Sequence, residues 1–190
     1  MKGSRPLSRK SVKNLLSVTD SIREKSLLTI GFCTGYRISE LLSLKVSDVS
    51  TNGQVHSHVT VTAANSKTKV GRTVLLNSDA RKAIAALLAV IGIDGKSPLF
   101  ISRKKASTGE LKSISRQQAH EILKALFAKI GEFGNVSSHT LRKTFASRIW
   151  EATKQLPLVQ IALGHKSINS TVSYLDFGND DVDNAIMGIM

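Results

Sequence analysis

The chain has 190 residues, 41% of them hydrophobic, with 27 Lys and Arg against 14 Asp and Glu and a formal charge of +13. That is one domain with enough apolar material for a core, which excludes a disordered basic tail. No apolar run approaches the roughly 18–20 residues of a membrane span, and the basic N-terminus is not followed by the apolar stretch of a signal peptide. In chain order, Ser8 caps a first helix with Val12, Leu15, Leu16 and Val18 on its apolar face. Asp20 caps a second, through Leu27, Leu28, Ile30 and Phe32, and Gly35 ends it. A short third helix carries Leu41, Leu42 and Leu44, and Thr51-Asn52-Gly53 is a turn. His58–Thr62 alternates as a strand and Arg72–Leu76 is its partner, with the loop 63–71 between them. Ser78 caps a helix with Ala80, Ile84, Leu87, Leu88 and Ile91 at helical spacing.

Residues 92–114 are loop-rich. Ser115 opens a helix bearing Ala119, Ile122, Leu123, Leu126, Phe127 and Ile130, and Gly131 and Gly134 break the chain after it. His139 begins a further helix through Leu141, Phe145, Ile149 and Trp150. Leu156–Leu163 is a short helix closed by Gly164, and another lies near Tyr174. The fold class is α+β, mainly α-helical with one small antiparallel sheet. No internal repeat or dividing linker is visible, so residues 1–190 are read as a single domain. Residues 1–7 form a basic arm and 176–190 a tail, where Val182, Ile186 and Ile189 share one face.

The charge is unevenly spread. The last 16 residues hold Asp176, Asp180, Asp181 and Asp183 and no base. Residues 1–174 carry 27 bases against 10 acids, a balance of +17, recurring in small groups along the chain. Charge spread this way suits a surface that follows a phosphate backbone. The single cysteine, Cys33, excludes a disulfide framework and a Cys-rich zinc site, and the simplest location is the cytosol. His56 and His58 alternate on a strand without a third ligand, so no metal site is expected. His120 reads as a structural or solvated helix residue.

Three segments can carry chemistry. In Thr34-Gly35-Tyr36-Arg37-Ile38-Ser39-Glu40-Leu41-Leu42, Arg37 opens an apolar helix after a glycine turn. It can hold a phosphate through two parallel hydrogen bonds, or pair with Glu40 on its own helix. In His139-Thr140-Leu141-Arg142, a spacing of three puts both polar groups on one side of a helix, where they can meet one anion. In Leu163-Gly164-His165, a tyrosine, Tyr174, follows nine residues after the histidine. A tyrosine hydroxyl attacks well only with a base and cations around it. A rival reading of residues 159–172 is a helix-turn-helix that only reads DNA.

Together these segments resemble the tyrosine recombinase (phage integrase) family, over nearly the whole chain. That family pairs an arginine in T-G-x-R-x-x-E-L with H-x-x-R and L-G-H, then a tyrosine about nine residues on. The positions here are Arg37, His139, Arg142, His165 and Tyr174. The family also places a lysine in a turn between two strands. Ser66-Lys67-Thr68-Lys69, ahead of Arg72-Thr73-Val74-Leu75-Leu76, fits with Lys67 as the better match and Lys69 as the alternative. Most members carry a separate helical core-binding domain before the catalytic one, and no such domain is expected in these 190 residues. The chain is then either an excised catalytic domain or akin to short members such as the fimbrial-switch invertases.

The resemblance implies a site-specific recombinase that cuts and rejoins DNA through a 3′-phosphotyrosyl intermediate, without metal or ATP. Tyr174 attacks, Arg37 and Arg142 stabilise the phosphate, His139 takes a proton, Lys67 protonates the leaving 5′-oxygen and His165 steadies the site. Lys69, Arg72, Arg103, Lys104, Lys105 and Lys143 are expected to contact DNA. Implied partners are double-stranded DNA with a specific site, further copies of the chain in a tetramer, and accessory DNA-bending proteins. The implied place is the cytoplasm, on the nucleoid, with no membrane. The tail is expected to dock on the body or on a neighbouring subunit. Two other functions remain open: a non-cutting DNA-binding regulator on this fold, and a type IB topoisomerase that nicks and reseals.

Overall fold

A computed structural model describes residues 3–62, 71–103, 109–172, 174–175 and 187. Serine side chains start the first two helices. Ser8 Oγ accepts from the Ser11 N–H to open α1 (Arg9–Ser17), and Ser21, not the neighbouring Asp20, does the same for α2 (Ile22–Thr34) through Glu24. Gly35 closes α2 in the left-handed conformation, φ 59°. Arg37 is the N-cap of α3 (Ile38–Leu42), and the one-turn helix α4 (Val46–Val49) follows.

The turn expected at residues 51–53 is a hairpin of its own. β1 (Ser50–Thr51) pairs antiparallel with β2 (Gln54–Val55) around Asn52 and Gly53, at φ 50° and 79°. Two residues with positive φ match the twist of the strands they join, which is why Asn-Gly is favoured there. The fold therefore has two small sheets among the described residues, not one. The second pairs β3 (His58–Val61) with β4 (Arg72–Leu75), with Val59 opposite Val74 and Val61 opposite Arg72. Val59 and Val61 are buried while His58 and Thr60 face out, as the alternation predicts.

Asn77, one residue before the expected cap, opens α5 (Ser78–Ile91), which packs on α2. Ser115 and Gln118 form a capping box at the start of α6 (Arg116–Lys129). α7 spans Ser138–Thr153, α8 Leu156–Leu163 and α9 Ile168–Val172.

The chain divides into two compact units, Met1–Phe145 and Ala146–Met190. The first holds two apolar clusters. One gathers Leu27, Ile30, Tyr36, Leu41 and Val59 with α5 residues and Phe100, with Cys33 packed against it. The other joins Leu15, Leu28 and Phe32 to Leu123, Phe127 and Leu141. In the second unit α8 packs on α9, and Val159, Leu163, Thr171 and Leu175 are buried. Among the described residues no helix is long and apolar enough to cross a membrane.

Candidate active site

The first unit gathers three arginines around the end of α2. Gly31 and Gly35 make the approach possible. A Cβ on Gly35 would stand 2.2 Å from the Phe145 ring, and one on Gly31 would stand 2.8 Å from Leu141. α7 can therefore lie close enough for Arg142 to reach across. Arg142 is 1% exposed, and its Nη1 donates to the Gly35 carbonyl.

Arg37 follows two residues later. Its Nη1 meets Glu40 Oε1 at 2.9 Å, and its backbone N–H donates to Glu40 Oε2 at 2.7 Å. Pairing with Glu40 does not remove Arg37 from solvent. Its side chain keeps 20% of its exposure while Glu40 is 3% exposed, so the buried carboxylate holds a partly open guanidinium.

Arg72 was expected to contact DNA, and in the structure it lies on the inner, half-buried side of β4. Its Nη2 donates to the Thr34 carbonyl at 2.9 Å, and its guanidinium carbon lies 4.3 Å from the centre of the Tyr36 ring. Burial, reinforced by the nearby Arg142, pulls Arg72 from 12.5 down to about 10. It is still charged at neutral pH. Arg37 adds to that repulsion, and Glu40 is the carboxylate that offsets it. Three cations around one carboxylate leave a net positive centre, suited to an anion.

His139 is the second residue of α7. Its N–H donates to Ser137 Oγ at 3.2 Å and it is exposed, unlike Arg142 one turn on. Lys143 is half-buried on the same helix. Arg103 is exposed and lines an open groove of about 440 Å³ with Arg23, Ser115 and Gln118. Lys67, Lys69, Lys104 and Lys105 lie outside the described residues, as do the four aspartates of the tail.

In the second unit, His165 and Tyr174 meet edge to face, ring centres 5.0 Å apart and planes at 66°. Thr171 joins them. Its Oγ1 is 3.1 Å from His165 Nδ1, and its carbonyl accepts from the Tyr174 N–H at 2.9 Å. Gln160 secures the histidine backbone, donating from Nε2 to the His165 carbonyl and accepting the His165 N–H at its own carbonyl. The helix-turn-helix alternative would need α9 as its recognition helix, but α9 has five residues, under two turns.

Tyr36, Thr34, Thr171 and Gln160 were missed from the sequence. Tyr36 had a signal. It is one of only two tyrosines, and it stands directly before Arg37 in an otherwise apolar stretch. His56 is taken up by Thr51 Oγ1 at 2.9 Å, and His58 by Ser57 Oγ at 3.0 Å. Among the described residues no three His, Cys, Asp or Glu side chains come together as a metal site.

The phage integrase family model matches residues 5–179. The chain is 32% identical over 158 residues to the probable integrase/recombinase YoeC of Bacillus subtilis, covering 83% of this chain and 80% of that protein. It is 26% identical over 171 residues to tyrosine recombinase XerH of Campylobacter jejuni, covering 90% of this chain and 46% of that protein. The chain spans about half the length of the Xer relatives it matches. Its fold aligns with the crystal structure of XerA recombinase at a TM-score of 0.79 and 23% identity, over 98% of this chain and 64% of that one.

Proposed function

This chain belongs to the phage integrase family, and from that premise we propose that it is a site-specific DNA recombinase. It cuts one strand by transesterification and rejoins it by the reverse step. The Tyr174 hydroxyl attacks the scissile phosphorus, forming a 3′-phosphotyrosyl bond as the bond to the 5′-oxygen breaks. His139 takes the tyrosine proton and Lys67 supplies one to the departing oxygen, with Lys69 as the alternative donor. Arg37 and Arg142 hold the non-bridging oxygens, where negative charge grows in the transition state. His165 hydrogen-bonds the phosphate. The phosphotyrosyl bond keeps the energy of the broken phosphodiester, so rejoining draws on no ATP.

The observation that best supports this reading is the arginine centre. Arg142 is seated on the Gly35 carbonyl, and Arg37 is clamped by Glu40 two residues on. A regulator that only binds DNA has no chemical need for that centre together with Tyr174. Basic side chains outside it, among them Arg103, Lys104, Lys105 and Lys143, contact the duplex backbone. A tetramer on paired sites in the cytoplasm, aided by DNA-bending proteins, completes the proposal.

The test is a nicked suicide DNA bearing the cognate site. The wild type becomes joined to the 3′ end, and Tyr174→Phe does not. An adduct with Tyr174→Phe would rule out this nucleophile. Strand exchange between two sites, beyond simple nicking and resealing, separates a recombinase from a topoisomerase.

A further inference from the structure

The two carbonyls that end α2 each receive an arginine from a distant part of the chain. Thr34 takes Arg72 from β4, and Gly35 takes Arg142 from α7. The end of a helix concentrates partial negative charge on its last carbonyls, which favours cations there. Arg72 is also tied to the next residue but one. The Tyr36 hydroxyl lies 2.8 Å from the Arg72 carbonyl and 2.9 Å from the Val59 carbonyl, bridging β3 and β4, while the Arg72 guanidinium folds over the Tyr36 ring. Residues 34–36 are thus held by the main chain and the side chain of a single strand residue. Arg37 departs from the end of that stretch.

We propose that Arg72 is a positioning residue for the phosphate centre: it fixes the Thr34–Tyr36 turn from which Arg37 projects and on which Arg142 is seated. This rests on the recombinase reading above and assigns Arg72 a task other than the DNA contact its sequence suggested. Arginine suits the task better than lysine. Its plane stacks on the tyrosine ring while one N–H is aimed at a carbonyl, and lysine offers the charge without the plane.

The experiment compares single-turnover cleavage of two suicide DNAs. One carries an ordinary scissile phosphate and the other a neutral methylphosphonate, which lacks the charge the arginines stabilise. Arg72→Ala and Arg72→Lys are expected to slow cleavage of the ordinary DNA by about 100-fold, the scale of a misplaced catalytic group. Their DNA affinity should change by less than about threefold, because many phosphate contacts share it. On the methylphosphonate DNA the deficit should largely disappear, as it should for Arg37→Ala. Tyr36→Phe should show the same pattern more weakly, and it decides the matter with Arg72→Lys if Arg72→Ala does not fold. Equal loss of binding and cleavage would make Arg72 a DNA contact and overturn the proposal. An equal deficit on both DNAs would make it a structural residue only, and full activity of Arg72→Lys would reduce its task to charge. If the wild type forms no adduct on the ordinary DNA, the recombinase reading fails and this inference falls with it.

Discussion

The Glu40 carboxylate grips Arg37 twice, once at the guanidinium and once at the backbone N–H. One contact orients the side chain and the other fixes the start of α3. Removing one partner of a buried ion pair costs about 3–5 kcal/mol, because the other charge is left without compensation. Arg37 is partly open to water, so the lower end applies. Glu40→Ala should lose about 3 kcal/mol in urea unfolding and also lose cleavage, and Glu40→Gln should recover part of both. An unchanged unfolding midpoint in Glu40→Ala would show that the pair contributes nothing to stability.

Arg37→Ala should separate chemistry from affinity. Losing one preorganised donor to a developing charge costs about 100- to 1,000-fold in rate. Affinity spread over many phosphate contacts should fall only a few-fold. The check is adduct formation against gel-shift binding, at one stated salt concentration. Parallel losses would identify Arg37 as an ordinary DNA contact.

Gly35 is constrained by both conformation and space. At φ 59° an alanine there costs about 1–2 kcal/mol. Its Cβ would also overlap the Phe145 ring, where overpacking adds about 1–3 kcal/mol. Gly35→Ala should therefore destabilise by about 2–5 kcal/mol. In a double-mutant cycle with Phe145→Ala, only the steric part should vanish. Strict additivity of the two substitutions would mean that the ring does not press on the turn.

Tyr36 should shape stability in alkali. Burial raises its hydroxyl from 10.0 to about 12. The stability from keeping that proton is fully present below pH 10 and is lost as pH climbs towards 12. Arg72 acts in the opposite sense. Its value is lowered from 12.5 to about 10, so the cost of burying its charge is relieved over much the same interval. Tyr36→Phe removes the first contribution and keeps the guanidinium. The stability gap between wild type and Tyr36→Phe should therefore narrow between about pH 10 and about pH 12 in paired unfolding curves. A gap that stayed constant would show that Tyr36 does not titrate differently in the folded chain.

Local signals located most helices to within a residue or two, because caps are written locally. Ser8, Ser115, Gly35 and Gly164 stand where the structure uses them. Ser21 and Asn77 displaced their neighbours Asp20 and Ser78 because a cap is decided by which side chain meets the free N–H, and adjacent polar residues offer the same chemistry. The β1–β2 hairpin was visible only as a turn, since strands of two residues carry no periodicity. Candidate site residues can be picked out where a motif spans a few positions, as in His139-Thr140-Leu141-Arg142. Arg72 was read only as a DNA contact because its partners Thr34 and Tyr36 lie more than 30 residues away along the chain, and composition registers its charge without its surroundings. Tyr36 escaped notice because a tyrosine among apolar residues reads as core, and its hydroxyl bonds cross strands that sequence spacing does not bring together.

The seating of Arg142 on the Gly35 carbonyl joins positions 107 residues apart, and Arg72 reaches Thr34 across 38. The positive centre is therefore absent from any nascent chain that has not yet released residue 142 from the ribosome. Contacts of such long range form only after the intervening chain has collapsed. A truncated or stalled product of translation that ends before residue 142 holds Arg37 without the seated Arg142, and so without the complete positive centre.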